Sequence, residues 1–159
     1  MSMELRLFSD RRLGTVGEWQ NAIGAEHFPL QLSDATPLGE VEGFLPVHLR
    51  GNLTGFECNH WDAKKVMAEY PGVNFGHNWK YALALRWLGS KRDEMLAAWM
   101  AATAYARATD GIVFDEMDGK IRTASQALAI VHDLETDDQH IVDAAVANAL
   151  SRLRSRSQD

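Results

Sequence analysis

The chain has 159 residues, of which 46% are hydrophobic and 24% charged, the balance of a single folded domain that buries roughly 70% of its extended-chain surface. Sixteen Lys and Arg against twenty-two Asp and Glu give a net charge of −6, which argues against coating nucleic acid or an anionic membrane, because affinity for phosphate comes chiefly from clustered positive charge. Cys58 is the only cysteine, so no intrachain disulfide and no four-cysteine zinc site can form, and charges interrupt every apolar run before membrane-spanning length. With no apolar h-region near Met1, a cytoplasmic protein is expected.

Leu5 to Phe8 alternate as a short strand, and Thr15-Val16-Gly17-Glu18 has the form of a capping box, so a helix should start there with Val16, Trp19, Ala22 and Ile23 on one stripe. Gly24 and Pro29 would end it, Phe28 to Leu32 reads as a strand, and Asp34 to Glu42 reads as an exposed connection. Between Phe44 and Trp61, a turn at Gly51-Asn52 would close a hairpin. That turn makes Arg50 face Leu53, Val47 face Phe56 and Leu45 face Cys58. It places Leu45, Val47, Leu49, Phe56 and Cys58 on one face and Pro46, His48, Glu57 and Asn59 on the other. Pro46 cannot donate to a ladder, which suggests a sheet edge or a bulge.

Asp62 should cap a short helix running through Tyr70, ended by Pro71-Gly72. Trp79 to Trp87 segregates large from small or charged residues with period two, the pattern of a central strand. Ser90 then caps a helix to about Thr109, with Asp93 and Glu94 in its first turn and Met95, Trp99, Ala102 and Ala106 as its buried stripe. Ile112-Val113-Phe114, a turn at Asp118-Gly119 and Lys120-Ile121-Arg122 form a second hairpin. A capping box at Thr123-Ala124-Ser125-Gln126 opens a helix to about Leu134, which Glu135 to Asp138 should break. A last helix, about residues 138–156, carries Val142, Ala145, Val146, Ala149 and Leu153 on one stripe. Packing on its own domain is the default expectation for it, and a homodimer contact the alternative. Hairpins mixed with helices, without regular alternation, predict one α+β domain over residues 1–159 built on a mainly antiparallel sheet.

For chemistry, Cys58 and His60 share a strand face and are the candidates for a nucleophile pair in a small hydrolase or transferase, although a lone cysteine is more often a buried small hydrophobe. A metal would have to gather Cys58, His60, Asp62 and His77, with His48, at spacings that match no standard ligand pattern, so neither a metal nor another cofactor is expected. Trp79, Tyr81 and Trp87 could line a small-ligand pocket in a sensor protein. Asp115, Glu116 and Asp118 form an acidic hairpin tip. Further acidic residues lie at Asp133, Glu135, Asp137 and Asp138, and at Glu40, Glu42 and Glu57. Acidic faces steer and hold basic proteins, so Glu57, Asp115, Glu116 and Asp118, with Trp61 as an aromatic anchor, are the expected partner-binding residues.

The run Ala106-Arg107-Ala108-Thr109-Asp110-Gly111-Ile112-Val113-Phe114-Asp115, an alanine-rich helix entering a Thr-Asp-Gly turn and a Val-Phe-Asp strand, resembles a segment of small bacterial α+β proteins of the toxin-immunity type. Glu18-Trp19-Gln20 followed by Phe28-Pro29-Leu30 fits the same resemblance. It implies a non-enzymatic cytoplasmic binding protein that neutralises a basic toxin through an acidic surface, and it brings no catalytic residue with it.

Overall fold

A computed structural model describes residues 2–32 and 37–157. The outer hairpin of the sheet forms where local pattern is strongest. Strands β3 (Gly43–Leu49) and β4 (Asn52–Asp62) pair antiparallel, and β4 continues into β5 (Tyr81–Leu88) through a short helix α2 (Ala63–Ala68). The first strand, β1 (Ser2–Ser9), lies antiparallel to β5 over its whole length, from Ser2 opposite Leu88 to Ser9 opposite Tyr81. On its other side lies β6 (Ile112–Asp115), followed by β7 (Lys120–Arg122), and a short β2 (Leu30–Leu32) closes the opposite edge on β3. Among the described residues the sheet therefore has seven strands in the order β2-β3-β4-β5-β1-β6-β7, every neighbouring pair antiparallel.

Period-two alternation gives the sheet two different faces. One carries Leu5, Leu7, Leu45, Val47, Leu49, Phe56, Cys58, Leu83, Leu85, Trp87 and Val113, all buried beneath the helices. Against it packs α3 (Arg92–Thr109), whose outer side is in turn covered by α1 (Val16–Ala25) and α4 (Ala124–Ser157). This layering extends burial beyond the expected stripe to every residue from Leu96 to Ala106, and Met95 is only partly buried. The small side chains of α3 suit this close fit. The Trp19 indole ties α1 to α3 by donating to the Ala101 carbonyl at 3.0 Å.

The capping residues act largely as their sequence indicates. Thr15 Oγ1 accepts from Glu18 N, and Asp62 Oδ1 accepts from Lys64 N and Lys65 N. Thr123 and Gln126 bond each other reciprocally at the start of α4. At the end of α3, Asp110 takes a left-handed φ of 54°, and a Cβ on Gly111 would sit 2.3 Å from the Phe8 carbonyl oxygen, so only glycine fits there.

Several expectations are corrected. The first hairpin turns on Arg50 and Gly51, which hold the positive φ angles (51° and 82°) that a two-residue loop needs, so Leu49 faces Asn52. Leu45 therefore faces Phe56, Val47 faces Thr54, and Gly43 faces Cys58. The partner of each residue moves by two positions, which preserves alternation and leaves the face assignments intact. Ser90 is not a cap: Lys91 holds the N-cap position of α3 without a side-chain bond, and Glu94 reaches back to accept from Leu88 N at 3.2 Å. Trp79 precedes β5 instead of opening it, and its indole donates to the Phe75 carbonyl at 3.0 Å.

Residues 33–36 of the expected connection lie outside the described residues. Beyond them Leu38 begins a 3-10 turn and, with Val41, is buried rather than exposed. The pairing of β2 stops at Val47, one residue short of Pro46. Finally, α4 runs unbroken through Glu135 to Asp138, because Glu135 pairs with Arg50 at 3.2 Å and Asp138 with Arg92 at 2.7 Å, so the acidic run is held rather than self-repelling.

Candidate functional site

Among the described residues, the second face of the sheet is covered at one end only. There α2 and the segment after it form a small cluster in which Val66, Phe75, Phe8, Ala82 and Phe114 are buried, with Tyr70 and Trp79 packed against it. The rest is open, and register decides what it presents. Phe44 lies opposite Glu57, Glu57 opposite Arg86, and Arg86 opposite Glu4. In the next row Asn59 lies opposite Ala84, Ala84 opposite Arg6, and Arg6 opposite Phe114.

Arg6 is the centre of this face. Its side chain is only 11% exposed, yet three carboxylates surround it: Glu4 at 3.4 Å, Glu116 at 3.9 Å and Glu69 at 4.0 Å. The guanidinium also lies over the Trp61 ring at 5.9 Å and the Tyr70 ring at 6.0 Å, distances at which the ring quadrupole attracts a cation. Tyr70 Oη donates to Glu116 Oε1 at 2.9 Å. Burial pushes the Glu4 carboxyl above its ordinary range, a shared hydrogen bond with Glu116 adds to this, and Arg6 pulls the other way. Burial likewise raises the Tyr70 phenol, helped by its bond to Glu116.

Around this charged centre the face carries unusual apolar exposure. Trp61 is 52% exposed, and Phe44, Leu53, Leu88 and Met117 are also more than half exposed. The Phe44 ring lies across Gly55, where an added Cβ would meet it at 2.4 Å. A groove of about 600 Å³ runs beside it, lined by Phe44, Glu57, Arg86, Leu88 and Glu94 among others.

Of the expected partner-binding residues, Glu57, Trp61 and Glu116 share this face. Asp115 and Asp118 do not join them: the sheet divides the acidic tip, because Asp115 lies opposite the inward-facing Leu5. Arg122 binds Asp115 at 3.4 Å and Asp118 at 2.6 Å, and itself lies over Trp99 at 5.6 Å. Both aspartates also shape the turn by accepting from Met117 N and Lys120 N. Burial raises the Asp115 carboxyl, whereas for Asp118 the bonds from Arg122 and Lys120 N outweigh burial and lower it.

Cys58 is fully buried under the helices, and burial pushes its thiol up to about 12, which suppresses the thiolate at neutral pH. His60 is held by the Leu38 carbonyl, 2.9 Å from its Nε2, and His77 by Asp10 at 2.6 Å. Among the described residues no group of three or more His, Cys, Asp or Glu could hold a metal ion. Trp79, Tyr81 and Trp87 do not converge: Trp79 packs in the small cluster, Trp87 in the main core on the other side of the sheet, and Tyr81 beneath Arg12 at 4.2 Å.

The sequence reading missed Arg6, Glu4, Tyr70 and Arg86. Alternation of Glu4 and Arg6 with Leu5 and Leu7 carried the signal for the first two, but only the pairing of β1 with β5 and β6 brings them to Trp61 and Glu116. No family model matches the chain, and no curated protein and no solved structure matches it significantly. Among the described residues no helix is long and apolar enough to cross a membrane.

Proposed function

We propose that the chain is a non-catalytic binding protein that holds a basic protein partner on the open face of its sheet, with cytoplasmic immunity to a bacterial toxin as its most concrete form. The observation that carries this reading is Trp61, half exposed on a paired strand and backed by Arg6, within a face that alternates apolar side chains with Glu4, Glu57 and Glu116. An exposed aromatic anchor on a sheet face that carries more carboxylates than cations is the chemistry that seats a partner's apolar group while drawing in its Lys and Arg. Cys58 supports the same reading from the other side, since a buried thiol in its neutral form serves packing rather than nucleophilic attack. Asp115 and Asp118, tied to Arg122, contribute long-range charge rather than direct contact. A second copy of the chain is a further partner, through α4.

The test is co-expression in a bacterial host with the products of the adjacent reading frames, followed by calorimetry on the purified pair. The expected result is that one neighbour is toxic, the chain restores growth, and Trp61→Ala weakens binding about 30-fold or more, the size of an interface hot spot. Rescue and affinity that ignore both Trp61→Ala and Glu57→Lys would contradict the proposal.

A further inference from the structure

The second half of α4 leaves the domain. Its first half buries Ala127 and Val131 in the main core, and the ion pairs of Glu135 with Arg50 and of Asp138 with Arg92 fasten it at the domain's end. From residue 138 to 157 the helix continues for about 30 Å at 1.5 Å per residue. Its apolar stripe stays on the same side but is uncovered: Val142, Val146, Leu150 and Leu153 are about half exposed. A continuous exposed apolar stripe on a projecting helix calls for a covering surface.

Spacing and charge say what that surface is. Val142, Val146, Ala149 and Leu153 follow the four-three-four spacing of a coiled-coil seam. The charges are polarised along the segment, with Asp137, Asp138 and Asp143 at its start and Arg152, Arg154 and Arg156 at its end.

We infer that a second copy of the chain covers this stripe as an antiparallel helix pair, the proposed self-association resting on the reading above. Antiparallel, Val142 packs against the partner's Leu153 and Val146 against the partner's Ala149. The same register sets Asp143 beside the partner's Arg154. A parallel pair would stack aspartate on aspartate and arginine on arginine, and flanking charges of this kind set helix orientation. The two-fold axis crosses the seam near Val146 and Ala149, so the two sheets lie at opposite ends with their open faces free for another partner.

Sedimentation of the full chain across concentration, together with cysteine cross-linking, tests this. The wild-type chain should pass from monomer to twice its monomer mass as concentration rises. Val146→Asp, at an exposed position, should weaken association roughly 100-fold or more by placing an unpaired charge in the seam while leaving the circular dichroism of the domain intact. When Val142→Cys and Leu153→Cys chains are mixed and oxidised, the disulfide should link one variant to the other. A disulfide between two Val142→Cys chains would overturn the antiparallel arrangement while keeping self-association. A wild-type chain that stays monomeric at every concentration would overturn both.

Discussion

The two faces of this sheet are made by the same strands, residue by residue in alternation, and they do opposite work. Beneath α3 the side chains are chiefly apolar, with the pair of Asp115 and Arg122 at the β6 side, whereas the open face sets Glu57, Arg86 and Glu4 in one row of alternating sign, holds Arg6 in the next row against Glu4 and Glu116, and leaves Trp61, Phe44 and Leu88 exposed. The first face is fixed mainly by packing. The second is arranged by charge and leaves large apolar groups in water, which stability by itself does not require. The difference separates residues that hold the fold from residues available to a partner.

Substitutions can break that comparison. Leu85→Ala, in the fully buried centre of the helix side, should cost about 2–5 kcal/mol in chemical denaturation, the loss of transfer energy plus a cavity. Trp61→Ala, a larger truncation on the open face, should cost about 1 kcal/mol or less, because its ring is half in water and gives up mainly its contact with Arg6. Equal costs would erase the distinction between the faces.

Arg6→Met should cost about 2 kcal/mol, since Glu4 and Glu116 would keep their proximity and lose the cation between them. Gly55→Ala should cost about 1–3 kcal/mol: the Phe44 ring can swing away, but the Leu45 carbonyl, 2.6 Å from the new Cβ, belongs to the backbone. A displaced Phe44 signal in an aromatic NMR spectrum would accompany that loss.

The smallest expected effect is on pH dependence. Glu4 is raised in the folded state by burial first, so below its folded pKa the native chain holds a proton that the unfolded chain has released. Its share of the stability should therefore increase as pH falls from neutral through that raised value, and level off below the ordinary carboxylate pKa. Asp115 acts with the same sign, and Asp118, which is lowered, acts oppositely and at lower pH. Glu4→Gln should flatten the rise above the ordinary carboxylate range. An unchanged slope in urea titrations at several pH values would argue that Glu4 is not desolvated.

What could be read in the sequence was local. The capping residues Thr15, Asp62 and Thr123, the face alternation around Leu45 and Phe56, and the Asp118-Gly119 turn each depend on neighbours a few positions away, and together they imply the α+β class. The hairpin register was not legible, because Arg50 adopts a positive φ that residue type alone does not favour. Nor was the continuity of α4, since Glu135 and Asp138 are neutralised by Arg50 and Arg92 from remote elements. The Arg6 centre was invisible for the same reason: it draws on β1, β4 and the segments following α2 and β6, and no window along the chain contains it. Trp61 and Glu116 could be named as candidates, but not as neighbours of one buried guanidinium.

The chain's five tryptophans offer the most direct test, because Trp19, Trp87 and Trp99 lie in the main core, Trp79 packs in the small cluster, and Trp61 is on the open face. With 5-fluorotryptophan in every position, the protein that the chain is found to neutralise in the co-expression test would be titrated in while fluorine NMR spectra are recorded. The account predicts that the Trp61 resonance shifts or broadens on binding while the three core resonances stay in place. A complex that forms with the Trp61 resonance unmoved would contradict the claim that the open sheet face is where the partner is held.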